Sequence, residues 1–182
     1  IYLRGSPSLI DLMIKGNAAD AWWGGGVYGD SYTGTIQNVT ISDNTANLGG
    51  GFLCNYCEAT LVDVIISGNS ASHGGGVYLA RANPVSFTNV VISGNEAGGP
   101  FNNGGGIYIN GASPTFTNVT IMNNTARMGA GVWLQNSTST FTNVIIANNT
   151  AEDYGAGIYS STDADPVLFN VTIANNTSPT GA

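Results

Sequence analysis

Side-chain chemistry needs carboxylates, imidazoles, thiols and cations within reach of one another, and this chain is poor in all of them. Its 182 residues include eleven Asp and Glu, four Lys and Arg, one His and two Cys. Polysaccharide cleavage calls for clustered carboxylates, or for Asp-bound calcium beside an Arg or Lys base. The cations are Arg4, Lys15, Arg81 and Arg127, and none shares a sequence column with several acids. Asp163 and Asp165 could face the same way in an extended loop, but Asp-Ala-Asp-Pro reads more simply as a turn between rungs. One His and two Cys cannot complete a four-ligand structural zinc site. The sequence thus assigns no catalytic residue, metal ligand or cofactor site. Cys54 and Cys57 flank Asn55-Tyr56 in the turn after a strand. They are too few for a disulfide framework, and a redox motif would need a βαβ context that is missing. A local disulfide between them fits an oxidising compartment.

Composition excludes further classes. The net charge is −7 and only 8 % of residues are charged. Four basic residues cannot build a nucleic-acid footprint or a polybasic membrane patch. No run of 18 apolar residues is long enough for a membrane-spanning helix. Hydrophobic residues make up 42 %, which does not fit a disordered chain. With 26 Gly, 22 Asn and many Thr and Val, helix is disfavoured.

The elements that must position any site come from a repeat. Ile-Met-Asn-Asn124 recurs as Ile-Lys-Gly-Asn17, Ile-Ser-Asp-Asn44, Ile-Ser-Gly-Asn69, Ile-Ser-Gly-Asn95, Ile-Ala-Asn-Asn149 and Ile-Ala-Asn-Asn176, at spacings of 25 to 29 residues. A Gly-X-Gly phrase follows each of the first six of these Asn, at 24–26, 49–51, 74–76, 104–106, 129–131 and 155–157. Phe-Thr-Asn-Val stands at Phe87, Phe116 and Phe141. Within a unit the apolar residues alternate, as strands do. A unit of about 26 residues predicts three short strands and three turns. Such units cannot bury an apolar face alone, so they stack as parallel strands roughly 4.8 Å apart. The expected fold is all-β: a right-handed single-stranded parallel β-helix of about seven rungs, one domain over residues 1–182.

The columns give orientation. Ile1, Val27, Phe52, Val77, Ile107, Val132 and Ile158 are apolar and point inward. Alternation sends Tyr2, Tyr28, Leu53, Tyr78, Tyr108, Trp133 and Tyr159 outward. Tyr28, Tyr78, Tyr108, Trp133 and Tyr159 could form a flat aromatic contact strip for glycans, or a ladder of stacked rings supporting the sheet; the ladder is the simpler reading. Thr40, Ile65, Val91, Thr120, Ile145 and Thr172 also face outward, an ordinary place for β-branched residues. Asn17, Asn44, Asn69, Asn95, Asn124, Asn149 and Asn176 form an internal ladder, because an amide can donate to one neighbour and accept from the next. The other Asn column admits Asp11 and Asp63, so it reaches water. The outer glycines of Gly-X-Gly are turn positions needing positive φ or close contact between rungs. Arg127 and Glu152, each three residues past its Asn, should pair across adjacent rungs. Of the Asn-X-Ser/Thr triplets, Asn136 in Gln-Asn-Ser-Thr-Ser is the best glycosylation candidate, whereas Asn176 belongs to the ladder.

The IxxN…GGGVY pattern resembles the repeat of chlamydial polymorphic outer membrane proteins, FxxN and GGAI. Ile14, Ile41, Ile66, Ile92, Ile121, Ile146 and Ile173 stand in the Phe place. The resemblance covers nearly the whole chain and implies a pectin-lyase-like right-handed β-helix in a surface-exposed or secreted, often adhesive, protein. Neither an initiator Met nor a signal peptide is present, so the chain reads as processed or trimmed. Gly181-Ala182 looks like the start of another Gly-Ala-Gly phrase, and Ile1-Tyr2-Leu3 like the residues after one. With no cap in sight, the expectation is a window of a longer solenoid or copies stacked end to end in a filament. The expected role is an extracellular or cell-surface structural or adhesive solenoid without catalysis. Its expected partners are further rungs or copies of itself, surface glycans or a host or cell-surface protein. The alternative is a glycan-binding or polysaccharide-cleaving β-helix domain.

Overall fold

The computed structural model describes residues 1–82, 84–99 and 102–181, with backbone alone for residues 20–22. Ala182, part of the terminal glycine phrase, lies outside them.

One rung shows how the sequence folds. Val77–Ala80 joins a first sheet, Ser86–Thr88 a second, Val91–Ser93 a third and Glu96–Ala97 a fourth. Each strand pairs in parallel with its equivalents one repeat away, as in Ile66 opposite Ile41 and Ile92. Three sheets contain seven strands and the fourth six. The result is a right-handed parallel β-solenoid of about six full turns. The three strands expected per unit are corrected to four. In the middle rungs the fourth strand is only two residues long, Ser70–Ala71 or Glu96–Ala97, too short for alternation to show.

Four corners need left-handed backbone, and the sequence supplies residues that tolerate it. Between the second and third sheets stand Asp11, Asn38, Asp63, Asn89, Asn118, Asn143 and Asn170, with φ from 52° to 56°. The first glycine of each Gly-X-Gly turns the fourth sheet into the first, with φ +64° at Gly24 and +61° at Gly129. The third glycine serves the other purpose. A Cβ on Gly51 would lie 2.7 Å from the Gly76 carbonyl and 2.9 Å from the Asn69 amide nitrogen.

The alternating positions fill one core. Ile41, Ile66, Ile92, Ile121 and Ile146 are buried, as are Val27, Phe52, Val77, Ile107 and Val132. Phe87, Phe116 and Phe141 stack down the centre, with centroids 4.8 and 4.7 Å apart. In the last rung, with a neighbour on one side only, the equivalents Leu168 and Ile173 are 45 % and 46 % exposed. Thr40, Ile65, Val91, Thr120, Ile145 and Thr172 face outward as expected, half-buried or exposed. Ala97, Ala126, Ala130, Ala151 and Ala156 form a separate small cluster. There the glycine corner approaches the fourth sheet so closely that a methyl group fills the gap.

Candidate functional site

The internal amide ladder forms as expected. Asn69 Nδ2 donates to Asn95 Oδ1 at 3.0 Å and to the Ile41 carbonyl at 3.0 Å. Its Oδ1 accepts from the backbone N–H and the Nδ2 of Asn44, both at 3.0 Å. The pattern repeats from Asn17 to Asn176. Amides buried in the middle rungs are thereby satisfied without charge. A second, exposed ladder runs along the Asp11–Asn170 corner, and its polarity is reversed. Asn118 Nδ2 donates back to Asn89 Oδ1 and Asn143 Nδ2 back to Asn118 Oδ1, both at 3.2 Å. Asp63 and Asp11 fit this column because each accepts from the Asn that follows, Asn89 at 3.0 Å and Asn38 at 2.6 Å.

The aromatic column faces away from the core but is not an open strip. Leu53, Tyr108 and Trp133 are 2 %, 9 % and 6 % exposed, and Tyr28, Tyr78 and Tyr159 are partly buried. The rings form a ladder instead. Tyr78 stacks on Tyr108 at 4.8 Å, Tyr108 on Trp133 at 4.3 Å and Trp133 on Tyr159 at 6.4 Å, with interplanar angles of 7°, 5° and 13°. The residues just before the corner glycine cover its flank. Trp23 stands edge-on to Tyr28 at 5.6 Å and His73 lies 5.2 Å from Tyr108. Burial pushes the Tyr108 phenol up to about 12, with a smaller contribution from Tyr78. It also lowers His73, whose Nδ1 accepts the Asn103 backbone N–H at 3.3 Å.

Beside the ladder lie two shallow depressions with a common wall of Tyr78, Ala80 and Arg81. One, about 170 Å³, continues to Trp23, Leu48, Leu53 and Asn55; the other, about 350 Å³, continues to Asn110, Gly111 and Asn136. Arg81 sits at the corner after the first sheet with φ 50°, and Tyr56 precedes it by one rung with φ 52°. The guanidinium lies 5.7 Å from the Tyr56 ring centroid and its Nη1 is 3.2 Å from the Tyr56 hydroxyl.

This architecture has a match among known families: the profile described as right handed beta helix region covers residues 1–178. The chain belongs to that family. No curated protein and no solved structure matches it.

Within this beta helix the remaining sequence candidates fall as follows. Cys54 and Cys57 are both buried and paired with one another, with Cα atoms 5.7 Å apart. Arg127 does not pair with Glu152 as expected; its Nε lies 2.7 Å from Asp153 Oδ2. The cause is register. Six residues separate Asn149 from Gly155 but five separate Asn124 from Gly129, and the ladder shifts between Ala126 and Met128 to absorb the extra one. Asp163, at φ 53°, and Asp165 are exposed in the turn they were expected to form. Asn136 is an exposed corner residue at φ 49°, whereas Asn176 accepts from Asn149 inside the ladder. Among the described residues no group of three or more His, Cys, Asp and Glu converges, and no helix is long and apolar enough to cross a membrane. The Arg81–Tyr56 corner and His73 escape sequence reading, because their columns vary freely. The one available signal is that Gly5, Gly111, Asn136 and Asp163 mark the Arg81 column as left-handed.

Proposed function

We propose that this beta helix is an extracellular structural and adhesive solenoid of a bacterial-type surface protein or filament, of the polymorphic outer membrane protein type. What carries the reading is the ladder from Asn17 to Asn176, which holds every rung in register with neutral groups. Such a rod keeps its shape without charge networks and offers long, regular outer faces to a partner. The pairing of Cys54 with Cys57 supports an oxidising location. Partners are further rungs or copies end to end, and surface glycans or a cell-surface protein along the side. Within this reading the outer face binds and does not cleave.

Beads coated with the protein should adhere to cell surfaces or to immobilised polysaccharide, and soluble protein should release no reducing ends from the polysaccharide. Uncoated and coated beads adhering equally would remove the adhesive role. Release of reducing ends would favour the polysaccharide-cleaving alternative. The glycan-binding form of that alternative has one specific feature in its favour, the Arg81 corner.

A further inference from the structure

The second sheet has an outer face whose order its core does not require. Ser86–Thr88, Thr115–Thr117 and Thr140–Thr142 are successive strands of it, and each reads hydroxyl, Phe, hydroxyl. The Phe side chains fill the core, so alternation sends both flanking hydroxyls outward. The strands pair residue for residue, Ser86 with Thr115 and Thr140, Thr88 with Thr117 and Thr142, with no shift of register. Thr60 and Thr35 continue the first column, while Val62 and Gln37 stand beside them in the second. Over these five rungs eight of the ten outward positions are Ser or Thr, and all ten are half-buried or exposed. The face is also neutral. The chain has eleven acids and four Lys and Arg, and no strand of the second sheet contains one; Glu58 and Asp63 stand in the turns beside it.

We infer that the outer face of the second sheet binds ice, its hydroxyls taking the places of surface water while the threonine methyl groups pack against the ordered layer. Neighbouring rungs lie about 4.8 Å apart and alternate residues of one strand about 6.6 Å apart, so the two columns make a rectangular grid. Oxygen atoms on a prism face of hexagonal ice repeat in two perpendicular directions at close to these intervals. Threonine is stiff at χ1, and each strand is held between two others, so the grid is set before anything binds. A charged partner finds no counter-charge on this face, whereas a neutral, rigid, periodic one matches it in every respect. Outward β-branched residues are ordinary in strands, and the third sheet shows the ordinary case. Beside Thr120 and Ile145 its second outward column holds Met122 and Ala147, and no hydroxyl grid forms. Binding of ice goes beyond adhesion to cells and does not depend on it.

The test grows a single ice crystal in a solution of the purified chain under a nanolitre osmometer. The crystal should become faceted and stop growing over a temperature gap below its melting point. Thr117→Leu breaks the grid at its centre, and Thr117→Lys sets a hydrated charge there; both should lose the gap. Thr120→Leu, on the third sheet, should keep it. Ser86→Thr completes the first column and should widen it. Unaltered thermal midpoints in the variants would show that the rod itself is intact. Ice that grows as a rounded disc without pause, as in buffer alone, overturns the proposal and leaves adhesion to the bead assay. A gap that survives both changes at Thr117, or that Thr120→Leu removes equally, overturns it as well. Paired rods in light scattering, dispersed by Thr117→Lys and accompanied by no gap, would give the face to a second copy of the chain instead.

Discussion

Asn95 and Asn124 stand one above the other in the core, with Asn95 Nδ2 donating to Asn124 Oδ1 at 3.1 Å and the Asn95 backbone N–H reaching the same oxygen at 2.9 Å. One side-chain oxygen thus holds both the amide and the backbone of the rung before it. The second amide hydrogen of Asn95 goes to the Ile66 carbonyl at 3.0 Å. An aspartate at 95 keeps the acceptor and loses both donors, and it sets carboxylate oxygens against two other acceptors. Asn95→Asp should therefore lower stability by roughly 1–3 kcal/mol at neutral pH. Protonation relieves part of that repulsion, and burial raises the carboxyl's pKa, so the deficit relative to the parent should shrink as pH falls. Thermal melts at neutral and acidic pH measure both effects. An unchanged midpoint at neutral pH would count against the ladder.

Two neighbouring positions in the Gly-X-Gly phrase should respond in opposite ways to a single methyl group. A Cβ on Gly106 would come within 2.6 Å of the Gly131 carbonyl and 2.9 Å of Asn124 Nδ2, so it must push the backbone or break the ladder. Gly106→Ala should cost about 1–3 kcal/mol through overpacking. Ala130, a middle position, already carries a buried methyl packed in the small alanine cluster. Ala130→Gly should cost only about 0.5–1 kcal/mol, mainly as backbone freedom returned to the unfolded chain. Urea unfolding of the two variants side by side would show whether position 106 excludes the methyl group that position 130 in the next rung accommodates.

What could be read in the sequence was whatever recurs at every rung. The Asn ladder, the isoleucine column and the glycine corner repeat because each rung meets the same steric demand. Their positions follow from pattern alone. The fourth strand was hidden because two residues such as Glu96–Ala97 carry no period. The orientation of the aromatic column was also legible, but its covering was not. Trp23, Leu48, His73, Asn103, Met128 and Tyr154 occupy one structural column, yet share no chemical character that would mark them as a lid. The Arg127–Asp153 pairing depends on one inserted residue, and counting from the ladder Asn cannot say where the extra residue is accommodated. The Arg81 corner was least legible, because Gly5, Ser31, Tyr56, Arg81, Gly111, Asn136 and Asp163 share a left-handed backbone and no side-chain type.

His73 provides a pH dependence. Burial lowers its pKa, and its Nδ1 acts as an acceptor from the Asn103 N–H, which requires the neutral ring. The unfolded chain has an ordinary imidazole near 6.5 and binds its proton first as pH drops. Above that value neither state is protonated and the full stability is present. Below it the unfolded state gains protons that the folded state refuses, so stability falls until the folded-state pKa is passed. The thermal midpoint should therefore decline below about pH 6.5, before most carboxylates titrate. In His73→Gln this early decline should disappear. A parent protein whose midpoint is flat from pH 7 to about pH 5 would remove His73 from the account.

The cysteine pair has two readings with the same burial. Cys54 and Cys57 are both wholly shielded from solvent, and small buried thiols pack well as hydrophobes. Under native conditions neither form would react with an alkylating reagent, so absence of labelling in the folded protein decides nothing. The chain must first be unfolded in denaturant without reductant, then alkylated and weighed. Cα atoms 5.7 Å apart lie within the span that a disulfide bridges without backbone movement. Protein kept oxidised throughout should accordingly gain no label on either residue, and reduction in denaturant should add two. Because the enclosed loop is short, little unfolded-chain entropy is at stake, and the reduced protein should retain a cooperative melt close to that of the oxidised one. Two labels gained before any reductant is added would show that Cys54 and Cys57 are packed thiols, and would remove the pair as support for an oxidising location.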